Sequence, residues 1–188
     1  MSATDQEGYP SQYEERITLK NGREVFFRPV LPSDGHLLVG FFNKISPQTR
    51  YLRFMRHLDA LPDDMLYHFT HVNYDSEFAL IGLIEEDGND AIIGVARYAV
   101  DPHETTADIA VTVRDDWQHL GLGKALLAKT IDIGKEHGVF RFKSMVDPEN
   151  SIIRQILLEL GYEVKYSSQS GCFEVEISSK GDGERGSL

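Results

Sequence analysis

The feature that most constrains this chain is the stretch RDDWQHLGLGKALL, which follows a strand-like run, ADIAVTV, and leads into a helix-forming segment. Gly121 and Gly123 stand one residue apart in it, and Lys124 follows. Glycine lets backbone amides approach a bound group without a Cβ between them. A helix N-terminus offers unpaired N–H groups and roughly half a positive charge. The stretch therefore predicts an anion site whose natural ligand is a phosphate or a pyrophosphate.

Three phosphate-binding motifs differ in their glycine spacing. A P-loop requires G-x-x-x-x-G-K-[ST], but Gln118 stands at its first glycine position and Ala125 replaces the Ser or Thr. A dinucleotide fingerprint requires G-x-G-x-x-G, and Leu126 occupies its third glycine position. The pattern Q/R-x-x-G-x-G/A is satisfied in full by Gln118, Gly121 and Gly123. The spacing therefore disfavours a nucleotide kinase or a dehydrogenase.

The rest of the chain predicts one α/β domain. Two-residue turn signals such as Asn21-Gly22 separate strand-like runs, and the expected order is β-β-α-α-α-β-β-β-α-β-α-β-β. Hairpins imply antiparallel pairing, whereas the strand–helix–strand unit over residues 107–146 permits one parallel pair within a mixed sheet. Residues 1–15 are expected to be disordered, residues 16–178 to form the domain, and residues 179–188 to be a disordered tail.

Composition excludes several classes of protein. The formal net charge is -11, which disfavours a nucleic-acid partner, because phosphates are repelled by an acidic surface. No run of about 18 apolar residues predicts a membrane span, and the polar N-terminus does not read as a secretory signal. Cys172 is the only cysteine, so neither an intrachain disulfide nor a cysteine-based metal site is expected. These features favour a cytoplasmic protein.

Two stretches carry a family resemblance. VRDDWQHLGLGKALL resembles the acetyl-CoA-binding motif of the GNAT N-acetyltransferases, and DPENSIIRQILLELGYE resembles the second motif of that family. The second motif has its residues in place at Asn150, Leu157, Leu160, Gly161 and Tyr162. The resemblance covers about residues 17–178.

A narrower likeness lies within that family. SPQTRYLRFM and ADIAVTVRDDWQHLGLG are similar to the acetyltransferase domain of the Pat-type protein-lysine acetyltransferases. Those relatives carry an extra regulatory domain, for which this chain is expected to be too short.

The resemblance implies a single GNAT-type domain with a mixed, mainly antiparallel sheet flanked by helices. Acetyl-CoA is then the cosubstrate, no metal is required, and CoA lies in a V-shaped gap where the parallel strands diverge. Backbone N–H groups near Val111 and Val113 are the implied pantetheine and oxyanion partners. The further residues implied to contact CoA are Gln118, His119, Gly121, Leu122, Gly123, Lys124 and Asn150.

The resemblance also suggests the general base. Pat-type relatives carry a glutamate at the strand position that Asp108 occupies here, and the shorter aspartate favours a bridging water. The alternative interpretation is a solvated aspartate at the start of a strand, with Asp75 and Glu77 as reserve candidates. Many family members use a tyrosine as general acid where this chain has Leu157, so no acid is assigned.

The expected reaction is acetyl transfer from acetyl-CoA to a primary amine, with a protein lysine favoured through the Pat-type likeness. A small-molecule or N-terminal amine remains an alternative acceptor, and a catalytically silent acyl-CoA-binding module is an alternative of a different class. His68 and His71 share a helix face, but without a third ligand they do not predict a metal site. Neither a nucleic acid nor a membrane is expected as a partner.

Overall fold

The computed structural model describes residues 8–101, 103, 106–147, 150–169 and 172–178. The strands are β1 (Glu15–Thr18), β2 (Glu24–Pro29), β3 (Glu77–Glu86), β4 (Asn89–Val100), β5 (Ala107–Val113), β6 (Arg141–Val146), β7 (Glu163–Gln169) and β8 (Cys172–Ser178). The helices are α1 (Gly35–Lys44), α2 (Pro47–Phe54), α3 (Asp63–Thr70), α4 (Leu122–Glu136) and α5 (Ser151–Leu160). Of the helices in these ranges, none is long and apolar enough to cross a membrane.

The strands form one mixed sheet in the order β1-β2-β3-β4-β5-β6-β8-β7. Strands β1 to β5 pair antiparallel in succession, and β8 pairs antiparallel with both β6 and β7. The Asn21-Gly22 turn closes the first hairpin, with Gly22 at φ +80°. Asp87 and Gly88 both have positive φ, as a two-residue hairpin turn between β3 and β4 requires. The predicted fold class is therefore confirmed.

The single parallel pair joins β5 to β6, with α4 as the crossover between them. Its pairing extends over only two positions, Ala107 with Phe142 and Asp108 with Lys143. Beyond Asp108 the two strands diverge, so the edge of β5 that faces β6 has no strand partner from Ile109 onwards. A sheet that opens in this way presents backbone donors and acceptors to a ligand.

Two apolar layers cover the two faces of the sheet. On one face α4 buries Leu122, Leu126, Leu127 and Ile131 against the strands. This packing is close, because a Cβ added at Gly134 would lie 2.6 Å from Cζ of Phe142. On the other face the layer of α1 and α3 packs on Val30, Ala79, Ile81 and Ile92. Alternate residues of β5 therefore belong to different layers.

Part of the N-terminal segment, from residue 8 onwards, lies within the described residues. Residues Ser11–Tyr13 form a short 3-10 turn, and Tyr13 is buried against the α4 layer. Its hydroxyl lies 2.9 Å from Oε2 of Glu136 and 3.1 Å from Nε2 of His137. A buried aromatic ring with a hydrogen-bonded hydroxyl orders the segment that carries it. Residues 1–7 and 179–188 lie outside the described residues, so their expected disorder stays a prediction.

Candidate active site

A cleft of about 580 Å³ opens where β5 and β6 diverge. One wall is the unpaired edge of β5, residues 109–113, and the opposite wall is α5 with the end of β6. The glycine turn before α4 closes one end of the cleft, and the first turns of α2 approach it from the side. The cleft therefore follows from the topology, because it occupies the space that further parallel pairing would have filled.

The glycine turn is held in a conformation that suits an anion. Gly121 immediately precedes α4 and has φ +87°, which disfavours a residue with a Cβ by about 1–2 kcal/mol. A Cβ at Gly123 would lie 3.4 Å from Cγ2 of Val113 and 3.7 Å from Cδ1 of Ile156, which belong to the two opposite walls. It would therefore fill part of the cleft. A phosphate-bearing cosubstrate fits this cradle, which has the free amides of a helix N-terminus beside it.

The side chain of Gln118 stabilises the turn from within the protein. Its Nε2 donates to the carbonyl oxygen of Val113 at 3.1 Å and lies 3.4 Å from Oγ1 of Thr49. The amide thus joins the end of β5, the glycine turn and the first turn of α2. In this structure Gln118 positions the turn, and the backbone amides that follow it are the groups left for a ligand.

Asp115 ties the same turn to α2 by three hydrogen bonds. It accepts from the backbone N–H of Ser46 at 2.8 Å, from Oγ of Ser46 at 2.7 Å and from Oγ1 of Thr49 at 2.8 Å. Ser46 is also the N-cap of α2, accepting from the N–H of Thr49 at 3.1 Å. Burial raises the pKa of the Asp115 carboxyl, but the hydrogen bonds from Ser46 and Thr49 outweigh it and lower the pKa overall.

Two lysines carry positive charge to the glycine turn. Nζ of Lys124, on α4, lies 3.1 Å from Oε2 of Glu159 on α5, and the hydrogen bond from Lys124 lowers the pKa of that carboxyl. Lys20 lines the cleft from the β1–β2 hairpin, with its Cε 4.0 Å from the position a Cβ of Gly121 would take. Sequence reasoning missed Lys20, because nothing in the spacing shows which turn the hairpin reaches.

Arg114 fixes the chain directly after β5. Its buried guanidinium lies 3.0 Å from Oε1 of Glu86 and 2.7 Å from Oδ1 of Asp116, and Lys44 also pairs with Glu86. The hydrogen bonds from Arg114, followed by those from Lys44, lower the pKa of Glu86 to about 2. This ion-pair network anchors the strand end from which the glycine turn departs.

Most residues that the sequence assigned to acetyl-CoA come together in the cleft. Those that line it are Val111, Val113, Gln118, His119, Gly121, Gly123, Lys124 and Asn150. Leu122 is different, because its side chain is buried in the core and only its backbone can face a ligand. Asn150 lines the cleft and also caps α5, with the N–H of Ile153 donating to its Oδ1 at 3.5 Å.

Asp108 lies at the closed end of the cleft rather than along its walls. It is the last β5 residue paired to β6, it is exposed, and it precedes the first cleft-lining residue, Ile109. Strand alternation places Asp108 on the same face of β5 as Thr112, the face beneath α1 and α3. A carboxylate there is one residue from the point at which the strands separate.

The other candidates are placed away from the cleft. Asp75 is exposed in the loop before β3, and Glu77 accepts a hydrogen bond from Nη2 of Arg97 at 2.6 Å. His71 stacks on Tyr67, while Nε2 of His68 lies 3.9 Å from Oε2 of Glu77. Within the described ranges no three His, Cys, Asp or Glu side chains come together as metal ligands.

Leu157 occupies the position at which many family members have a tyrosine acid, and its surroundings are apolar. Leu157 is buried in the core beneath the cleft, so α5 offers no hydroxyl at that point. Burial raises the pKa of Tyr162, which packs under Lys135 with Nζ 5.0 Å from the ring centroid. A raised pKa keeps Tyr162 protonated, but it does not line the cleft. The side chain of Tyr166 lies outside the described residues.

Comparison with known proteins decides the family. The model of the acetyltransferase (GNAT) family matches residues 38–162. The chain belongs to this family. As a GNAT protein it is an acetyl-CoA-dependent N-acetyltransferase, and acetyl-CoA is its cosubstrate. The predictions of family, enzyme class and cosubstrate are therefore confirmed, and the cleft between β5 and β6 is the part of the fold whose shape and glycine turn fit acetyl-CoA.

Three relatives show how closely this GNAT protein resembles known ones. It is 31% identical over 145 residues to the acetyltransferase PA5475 of Pseudomonas aeruginosa, covering 77% of this chain and 78% of that protein. It is 30% identical over 146 residues to the acetyltransferase Pat of Mycolicibacterium smegmatis, covering 77% of this chain. It spans only 43% of the length of that Pat.

The third relative is a solved structure. The crystal structure of the GNAT domain of S. lividans PAT superposes with a TM-score of 0.81 at 26% identity, over 90% of this chain and 99% of that one. The resemblance to Pat-type acetyltransferase domains thus extends from two sequence motifs to nearly the whole fold.

Proposed function

We propose that this GNAT protein acetylates a lysine side chain on a protein, with Asp108 acting as general base through a bridging water. The likeness to two Pat proteins supports a lysine as the acceptor. The match to the S. lividans domain covers 90% of this chain. The Pat-type resemblance of SPQTRYLRFM gains a physical meaning, because Ser46 and Thr49 of that stretch bind the cleft turn through Asp115.

The proposed reaction is a direct transfer. The water takes a proton from the acceptor ammonium and passes one to the carboxylate of Asp108. The neutral amine then attacks the thioester carbonyl carbon, and backbone N–H groups near Val111 and Val113 stabilise the resulting oxyanion. Collapse of the tetrahedral intermediate forms the amide and breaks the C–S bond, and the second proton on the nitrogen passes to solvent. CoA leaves as a thiolate, and the chain's own residues supply no assigned acid for it.

Two features of position support Asp108 as the base. It marks the point where β5 and β6 separate, which is where an acyl group at the inner end of the cleft would lie. It also stands outside the cleft lining, so a water between carboxylate and amine suits the geometry better than direct contact. Glu77, the reserve candidate, does not line the cleft and lies on β3 rather than at the point where β5 and β6 separate.

The turn end of the cleft is proposed to hold the pyrophosphate. Backbone amides at Gly121, Leu122 and Gly123 donate to its oxygens, and Lys20 and Lys124 add positive charge. Glu159 would have to release Lys124 at least in part, because the same ammonium pairs with both anions. The unpaired edge of β5 is proposed to hydrogen-bond the pantetheine arm.

The test measures free CoA released from acetyl-CoA with panels of lysine peptides, N-terminal amines and small amines, alongside calorimetry of acetyl-CoA binding. Binding with turnover on lysine peptides supports the proposal. Turnover only on small or N-terminal amines keeps the enzyme and overturns the lysine acceptor. Binding without turnover across the panel overturns the proposed reaction and favours an acyl-CoA-sensing module. That alternative is supported by the buried Leu157, which stands where many family members have a tyrosine acid.

A further inference from the structure

A small cavity beside the cleft contains an arginine without an acidic partner. The cavity has a volume of about 50 Å³ and lies between the sheet and helices α1 to α3. Arg53, near the end of α2, lines both this cavity and the acetyl-CoA cleft. Over the described ranges, Arg53 makes no hydrogen bond or ion pair, and its guanidinium carbon lies 5.1 Å from the ring centroid of Phe54 and 5.8 Å from that of Phe69.

A second unsatisfied group lies beside the same space. Thr112 on β5 is 7% exposed, and its Oγ1 is buried with no hydrogen-bond partner among the described residues. Like Arg53, it lines both the small cavity and the cleft, so the two spaces meet at this pair. Buried hydroxyls are rarely left without a partner in native proteins. A donor and a cation that are both unsatisfied at one junction indicate a missing acceptor of negative charge.

The charges around the junction agree with this. Arg97 also lines the small cavity, and Glu77 pairs with it, with His68 3.9 Å from the same carboxylate. Glu77 therefore balances Arg97, and the charge of Arg53 is left over. Burial lowers the pKa of Arg53 to about 10, and repulsion from Arg97 adds to the effect. This positive site is notable in a chain whose net charge is -11.

We infer that Arg53 and Thr112 form a subsite for a carboxylate carried by one of the two reactants, next to the acyl-transfer centre. The guanidinium presents a planar fork that matches a carboxylate, and the threonine hydroxyl supplies one further donor. A volume of about 50 Å³ admits one planar carboxylate, since a cavity of roughly 10–15 Å³ on the same measure already holds a water molecule. The apolar remainder of the cavity lining suits the methylene groups that carry the carboxylate.

The face of the sheet favours the acceptor as the source of the carboxylate. Thr112 and Asp108 share one face of β5, so a carboxylate at Thr112 would lie on the side from which the proposed base serves the amine. The acceptor would then be an amino acid, or a lysine with an acidic neighbour. A carboxylate at the end of the acyl group is the other source of the same chemistry. The inference rests on the proposed function only in requiring an amine acceptor.

The first experiment compares matched acceptors with acetyl-CoA. The pairs are γ-aminobutyrate with γ-aminobutyramide, and lysine peptides with aspartate or asparagine beside the lysine. The wild type is expected to prefer the carboxylate member by about ten- to hundredfold in kcat/KM, the strength of one charge-assisted contact. Arg53→Gln should collapse this preference, and Thr112→Val should reduce it by a smaller factor. Equal rates on both members of every pair overturn the acceptor subsite.

The control variant is Arg56→Gln. Arg56 is exposed three residues further along, lines neither space, and carries the same charge. Its removal should leave the preference ratio unchanged. A preference lost equally in both variants would identify a general field of the protein, and it would overturn a specific subsite.

A comparison of acyl-CoA substrates and a binding titration distinguish failure of the carboxylate subsite from failure of the proposed function. Succinyl-CoA is compared with butyryl-CoA on a neutral amine, and a preference for succinyl-CoA that Arg53→Gln abolishes assigns the carboxylate to the acyl group. Independently of turnover, the Nε–Hε resonance of Arg53 in CoA-loaded protein is followed during titration with sodium butyrate and with butyramide. A saturable shift with butyrate alone supports the subsite even if no acceptor reacts, and no shift together with no preference in either arm overturns it.

Discussion

The edge and the face of β5 offer different kinds of groups to the ligands proposed for them. Along the edge, the cleft is built from backbone groups of one strand and one glycine turn that are contiguous in the chain. On the face beneath α1 to α3, the functional groups are side chains from α2, β3, β4 and β5 that meet only in the folded protein. Backbone groups do not depend on side-chain identity, whereas the groups on the face do. Under the two proposals, the edge would hold the cosubstrate and the face would select the acceptor.

The largest expected effect tests whether the general base lies on the face of β5 that carries Asp108. Asp108→Asn should lower kcat by about a hundredfold or more, because a positioned base contributes on this scale, while acetyl-CoA affinity stays unchanged. Steady-state kinetics at saturating acceptor and calorimetry of acetyl-CoA measure the two quantities. Asp108→Glu should retain activity as the conservative control. An unchanged kcat in Asp108→Asn would remove this residue from the role and break the comparison.

The next effect tests whether acetyl-CoA binds along the edge of β5 and at the glycine turn. Gly121→Val should weaken acetyl-CoA binding about tenfold, because a φ of +87° costs an L-residue about 1–2 kcal/mol and the turn must shift. kcat at saturating cosubstrate should change far less. Gly138→Val is the matched control, because Gly138 has φ +82° at the far end of α4 and has open space around it. It should lose similar stability and keep its affinity. Equal affinities for both variants would contradict the assignment of the turn.

A smaller effect tests the connection between the two regions. Asp115→Asn should raise KM for acetyl-CoA and for the acceptor together, by a few-fold each. It weakens the hydrogen bonds to Ser46 and Thr49, each worth about 1 kcal/mol, and so loosens α2 from the glycine turn. Asp132→Asn is the control, since Asp132 is exposed on α4, pairs with Lys135 and does not line the cleft. An effect on one KM alone would show that the two regions are independent.

The smallest effect concerns stability in acid. The pKa of Glu86 lies at about 2 in the folded chain against an ordinary value of 4.5. A lowered folded pKa contributes stability above the unfolded value, and this contribution is lost as the pH falls from 4.5 towards 2. Thermal unfolding of Glu86→Gln should therefore depend less on pH in that window than the wild type. The difference should be modest, because the carboxylate is 30% exposed. Parallel curves would contradict the pKa shift.

The residues along the β5 edge are easier to predict from sequence than those on its face, for a physical reason. The glycine turn, its strand and its helix lie within one contiguous stretch, so spacing alone predicts where an anion cradle would form. Hairpin turns such as Asn21-Gly22 likewise fixed the strand order locally. Lys20, Arg53 and Thr112 could not be found in this way, because their meeting depends on how separate elements pack. The likeness of SPQTRYLRFM to Pat-type domains does not show which groups Arg53 contacts in the folded protein.

The place of Asp108 shows the limit within a single strand. Period-two alternation in ADIAVTV predicts which residues share a face, but not which face lies beneath α1 and α3. Packing of Ile109 into the α4 layer decides it, and Asp108 then falls on the other side. Resemblance and the short side chain suggest a base that acts through water, and the fold adds that Asp108 lies outside the cleft lining.

The two-rung contact between β5 and β6 has a mechanical consequence. Among the described residues, β6, β8 and β7 pair with the rest of the sheet only through Ala107 and Asp108, at one end of the β5–β6 junction. A cosubstrate bound as proposed, along the β5 edge and against α5, would act as a substitute strand and bridge the gap along its open length. Loading the enzyme would then slow amide hydrogen exchange in β6 and β8, far from any atom of the reaction.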